Sequence, residues 1–172
     1  MNNDLKNLVE SYKLSFEKKI LNHKHFKQDD IMNLFNKNQY DLLLNKQYWH
    51  REFGKFYEKY VKIIAKSKLK YNDSPKYKKY DLCDLVIDNF AIDTKYRIGS
   101  GDSGTVRKLK FYGEQLIKLN YKPILLIFRD DNLEGTIKSL SKEWNVLTGD
   151  NSNKFIIEHL DFDIKKSLND LR

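Results

Sequence analysis

Cysteine is almost absent from this chain. Cys83 is the only one in 172 residues, so no internal disulfide can form, and a reducing compartment is the simple expectation. Histidine is also scarce. His23 and His25 alternate and His50 follows Trp49, without the paired Cys/His spacing of a tetrahedral zinc site. No stretch approaches the roughly 18 apolar residues that cross a bilayer. The opening MNNDLKNLVESYKLSFEKKI carries acids and lacks the continuous apolar segment of a secretory signal. A soluble, cytoplasmic protein without a membrane partner is therefore expected. There is no internal repeat, no long low-complexity linker, no phosphate-binding P-loop and no His-Asn-His nuclease pattern.

What is present is charge and aromatic surface. Lysine and arginine number 32 against 24 acids, a net charge of +8. A balance of this size suits an anionic partner such as nucleic acid or an anionic membrane surface. The hydrophobic share of 40 % and the aromatic share of 13 % are enough for a real core, so disorder throughout is excluded. The length fits one domain.

Apolar periodicity places the elements. Residues 3–20 read as a helix, and 28–36 and 37–44 as short helices or turns. The strongest helix of the N-terminal half runs from Gln47 to Lys70, where Trp49, Phe53, Phe56, Tyr57, Tyr60, Val61 and Ile64 recur at three- and four-residue steps. KLKYNDSPKYKKYD, residues 68–81, breaks it and reads as a solvated loop or as a flexible basic arm near a phosphate backbone. A strand hairpin follows, then a helix over 106–119 and a buried central strand in KPILLIFR, residues 122–129. A helix over 132–143, a short strand at 145–147 and helices over 152–159 and 163–171 complete the chain. This order predicts an α/β sheet with both faces covered.

The hairpin CDLVIDNFAIDTKY carries the functional signal. A turn at Asp88-Asn89 pairs Ile87 with Phe90, Val86 with Ala91, Leu85 with Ile92 and Asp84 with Asp93. Lys95 falls on the same face as Asp93. Cys83, Leu85, Ile87, Phe90, Ile92, Thr94 and Tyr96 form the other, largely apolar face. Two facing carboxylates repel unless a cation sits between them. Lys95 supplies part of that charge, and a divalent metal would supply more through oxygen ligands. The plainer alternative is an exposed salt-bridge cluster. The small-residue loop RIGSGDSG comes next, and such loops let backbone approach a phosphate closely.

Asp84 followed by Asp93-Thr94-Lys95 on the paired strand resembles the D…(D/E)xK signature of the PD-(D/E)XK nuclease superfamily. Residues 48–149 resemble small type II restriction endonucleases. Cys83 stands where the superfamily often has proline, and Glu58, four residues after Gly54, resembles its G-x-x-x-E pattern, with Glu52 as the alternative. The resemblance implies a restriction-endonuclease-like αβββαβ core, with a mixed central sheet flanked by helices and extra N-terminal helices. It implies one nuclease domain over 1–172: a helical part at 1–45, a catalytic core at 46–149 and C-terminal helices at 150–172. It implies Mg²⁺ held by Asp84, Asp93 and the Thr94 carbonyl, with Lys95 at the scissile phosphate and Glu58 assisting. Arg97, Ser100, Ser103, Arg107 and Lys108 are the expected DNA-positioning residues. The implied activity is site-specific hydrolysis of double-stranded DNA by a homodimer. A junction-resolving or repair nuclease, or a basic DNA-binding module that does not cut, are the alternatives.

Overall fold

The computed structural model describes residues 14, 27–99 and 103–172. The expected helix over 3–20 lies outside these residues apart from Leu14, as do His23 and His25. The chain forms two compact units, Met1–Lys46 and Gln47–Arg172. In the first, two short helices are α1 (Asp30–Leu34) and α2 (Gln39–Leu44). Asp29 caps α1 by accepting the Met32 N–H at 3.0 Å. Asn38 and Asp41 satisfy each other's backbone N–H groups at the start of α2, at 2.9 and 3.1 Å.

The second unit begins with α3 (Lys46–Lys66), whose buried residues Phe53, Tyr57, Val61, Ile64 and Ala65 form one stripe. Five strands then build a mixed sheet in the order β1 (Tyr71–Asn72), β4 (Leu85–Ile87), β5 (Phe90–Lys95), β6 (Lys122–Ile127) and β7 (Asn145–Thr148). β1, β4 and β5 run antiparallel, while β5, β6 and β7 are parallel. Parallel neighbours need crossovers. α4 (Ser103–Lys118) links β5 to β6, and α5 (Glu134–Leu140) links β6 to β7. Helices α6 (Asp150–Leu160) and α7 (Ile164–Asp170) follow. The protein is thus α/β, with a five-stranded mixed sheet flanked by helices.

Segment 68–81 is more ordered than a loop. It supplies the edge strand β1 and a separate two-stranded hairpin, β2 (Lys76–Tyr77) with β3 (Tyr80–Asp81).

Both faces of the sheet are buried. On one, Val86, Ala91, Leu125 and Ile127 pack with Leu109, Tyr112 and Leu116 of α4 and with Leu140 and Trp144. On the other, the Tyr96 ring meets Phe53 of α3 at 5.2 Å, and Phe90 meets Phe155 of α6 at 5.5 Å. Cys83 belongs to the first of these clusters, not to the Leu85 face where strict alternation would put it.

α4 can approach Trp144 only because residue 113 is glycine. A Cβ there would lie 2.7 Å from the Glu143 Cβ and 2.7 Å from Trp144 Nε1, the nitrogen that donates to the Leu109 carbonyl at 2.8 Å. Gly113→Ala gains about 1 kcal/mol of helix propensity. It must also push apart the Glu143 side chain and the buried Trp144 indole, and overpacking of this kind costs about 1–3 kcal/mol. We expect a net loss of about 1 kcal/mol, the middle of the resulting range, in urea denaturation. An unchanged or higher stability would mean that this contact is not tight.

Candidate functional site

Three of the four expected hairpin pairs form: Leu85 with Ile92, Val86 with Ala91 and Ile87 with Phe90. Asp88 adopts φ 53° in the turn, a conformation aspartate tolerates. The fourth pair, Asp84 with Asp93, does not form. The ladder stops at Leu85, and the Asp84 N–H bonds the Ile92 carbonyl at 2.9 Å. Two residues therefore share one station, as in a β-bulge, which also accounts for the changed face of Cys83.

The bulge decides what the acids do. Because β4 begins only at Leu85, the Thr94 backbone has no strand partner on that side. Asp84 fills part of the gap. Its Oδ2 accepts both the Thr94 N–H and the Thr94 hydroxyl, each at 2.7 Å. Its Oδ1 makes no hydrogen bond among the described residues. Lys95 fills the rest, donating to the Thr94 carbonyl at 3.0 Å and to Asp93 Oδ1.

A cavity of about 770 Å³ collects these groups. Asp84, Asp93 and Lys95 line it together with Glu58 and Lys62 of α3 and Lys108 of α4. Glu58 accepts from Lys62 at 2.6 Å. Glu52, the alternative acid, pairs with Lys55 at 3.0 Å and Arg51 at 3.3 Å and is not among the residues lining the cavity.

Burial and the facing carboxylates set the protonation states. Asp93 is only 8 % exposed. Burial, with Asp84 and Glu58 nearby, pushes its carboxyl up to about 6, against the downward pull of Lys95. Burial alone would lower Lys95, but Asp93, Asp84 and Glu58 outweigh it and hold the ammonium above its ordinary value. Lys95 is therefore a fixed cation at neutral pH and not a proton acceptor. Burial pushes the Cys83 thiol up to about 12, which leaves it unreactive.

The expected DNA-positioning residues divide between two cavities. Lys108 lines the first, its Nζ 5.1 Å from the Tyr112 ring centroid. Arg97, Ser103 and Arg107 line a second cavity of about 530 Å³, which shares Lys95, Thr105 and Leu109 with the first. Arg97 is engaged by Asp131, donating to its carbonyl at 2.9 Å and its Oδ2 at 3.1 Å, while Arg129 holds the other carboxylate oxygen at 2.6 Å. Arg107 donates to the Ser103 carbonyl at 3.2 Å. Ser100 lies outside the described residues.

Comparison with models of known families, with curated proteins and with solved structures gives no match. The chemistry of this chain has to be read from its own residues.

Among the described residues, no group of three or more His, Cys, Asp or Glu side chains converges closely enough to hold a metal ion. The donor chemistry nevertheless fits a hard cation. The Asp93 carboxylate and Thr94 carbonyl already share one, the Lys95 ammonium, and Asp84 offers a second carboxylate beside them. Two features escaped sequence reasoning. Lys62 was readable as the i,i+4 partner of Glu58. The double use of Thr94 by Asp84 had no sequence signal, since it depends on where β4 begins.

Proposed function

We propose that the protein is a Mg²⁺-dependent endonuclease with a restriction-endonuclease-like core, cutting double-stranded DNA at specific sites as a homodimer. The observation that carries this reading is the gathering of Glu58, Asp84, Asp93 and Lys95 around one cavity at the end of β5. The basic balance of +8 suits a polyanionic substrate.

Hydrolysis forms one phosphorus–oxygen bond to water and breaks another, and the departing oxygen takes up a proton. Asp84, Asp93 and the Thr94 carbonyl would hold Mg²⁺, which supplies Lewis-acid polarisation and acidifies water when bound. Thr94 fixes the Asp84 carboxylate at the cavity wall by two hydrogen bonds to Oδ2, which leaves Oδ1 to take a cation. Lys95 stays charged and is placed to stabilise negative charge developing on the phosphate. Glu58, paired with Lys62 at 2.6 Å, lines the same cavity and would add negative charge where a cation enters.

Two of the carboxylates, Glu58 and Asp93, are paired with lysines, which favours a second reading as a DNA-binding module that does not cut. One assay separates the two. Purified protein is incubated with long phage and plasmid DNA, in Mg²⁺ or in EDTA, beside Asp93→Ala. Discrete Mg²⁺-dependent fragments, absent in the variant, are expected. A smear would replace site-specific cutting by nonspecific or junction-directed cleavage. Salt-sensitive binding without any cutting would establish the binding module.

A further inference from the structure

The β2–β3 hairpin is not part of the five-stranded sheet. Five consecutive residues on it, Lys76, Tyr77, Lys78, Lys79 and Tyr80, are exposed. Its base is pinned: the Leu82 N–H bonds the Pro75 carbonyl at 3.0 Å, and the Cys83 N–H bonds Ser74 Oγ at 3.0 Å. Its tip is unusual, because Lys78 adopts φ 56° where a two-residue turn ordinarily takes Asn, Asp or Gly. The turn thus carries a lysine in spite of its backbone and not because of it.

The aromatic rings act as a shelf for this charge. Tyr77 meets Phe111 of α4 edge-on at 5.1 Å. Lys78 Nζ lies 5.8 Å from the Tyr77 ring centroid and Lys79 Nζ 5.5 Å from that of Tyr80. Two ammonium groups are therefore held on an exposed projection of defined shape.

Charge decides what the projection fits. Five lysines line the neighbouring cavity (residues 62, 66, 76, 95 and 108) against five acids (residues 58, 73, 81, 84 and 93), so the cavity is close to balanced. Lys78 and Lys79 lie outside that balance. Lys76 and Tyr80 belong both to the hairpin and to the cavity wall, so whatever the hairpin grips passes the cavity mouth.

We propose that the β2–β3 hairpin grips the phosphate backbone of duplex DNA, with Lys78 and Lys79 neutralising phosphates and the Tyr77–Phe111 shelf fixing their height above the cavity. The proposal rests on the reading of DNA as the partner, but not on cleavage.

Binding in EDTA tests it without chemistry. Fluorescence anisotropy follows a labelled mixed-sequence duplex of about 30 base pairs as NaCl rises from about 25 to 200 mM. Each lost phosphate contact lowers the slope of log K against log salt by about 0.9, so K78Q/K79Q should reduce it by about 1.8. K138Q/K142Q removes the same charge from exposed positions at and just after α5 and should leave the slope unchanged. An unchanged slope in K78Q/K79Q overturns the grip, as does an equal loss in K138Q/K142Q or the absence of binding by the wild type. A hairpin-dependent slope in a protein that never cuts leaves the grip standing and sinks the nuclease reading. Cutting with a hairpin-independent slope does the reverse.

Discussion

Asp93→Asn should abolish cleavage and at the same time make the protein more stable. The first effect follows from the loss of a cation ligand and should reach on the order of 10³-fold or more. The second follows from burial. The Asp93 carboxyl is raised from 3.8 to about 6, so the folded state binds its proton more tightly than the unfolded chain does. Below about pH 4 both states are protonated and the group adds nothing adverse. As pH rises through the interval from 3.8 to about 6, the unfolded chain ionises first and the native state loses relative stability. At pH 8 the cost of the buried charge is about 2–3 kcal/mol. The asparagine variant never incurs it. Urea denaturation in EDTA should show Asp93→Asn more stable by about that amount at pH 8, with the gain vanishing near pH 4. A variant less stable than wild type at pH 8 would mean that the Asp93–Lys95 pair is a net stabilising contact and that the buried charge carries no such cost.

Lys95→Met should reverse the pattern. The ammonium is what pulls Asp93 down, and without it burial, Asp84 and Glu58 all push the same way. Removing one partner of a buried pair costs about 3–5 kcal/mol. The loss should be greatest at high pH and should shrink toward pH 5 as Asp93 takes up its proton. Cleavage should fall about 10²–10³-fold, because charge stabilisation at the phosphate is gone. Mg²⁺ should nevertheless raise the thermal midpoint of this variant more than that of the wild type. Lys95 now contacts both Asp93 and the Thr94 carbonyl, and the variant leaves both to the cation. A midpoint indifferent to Mg²⁺ would show that these oxygens do not form a cation site.

The sequence carried much of this arrangement, and its failures have physical causes. The Asp88-Asn89 turn and the apolar alternation set the register of three hairpin pairs, and all three form. Continuous apolar runs read correctly as central strands, because β6 is buried on both faces. The fourth pair failed because register extrapolates only while the ladder lasts. The Asp84 carboxylate accepts the Thr94 N–H where a further ladder pair would have used a backbone carbonyl. Segment 68–81 was misjudged for a different reason. Its hairpin turns on a lysine at positive φ, not on a turn dipeptide, and β1 is only two residues long. The cavity itself brings together residues from α3, β5 and α4, and no local pattern specifies that meeting.

The most direct test is where a metal sits. Crystals soaked in Mn²⁺ would be measured at the manganese absorption edge. An anomalous peak is expected in the cavity bounded by Asp84 and Asp93, with Lys95 moved off the Thr94 carbonyl. A cavity with no peak and Lys95 still bridging Asp93 and Thr94, at a concentration that supports binding elsewhere on the protein, would contradict it.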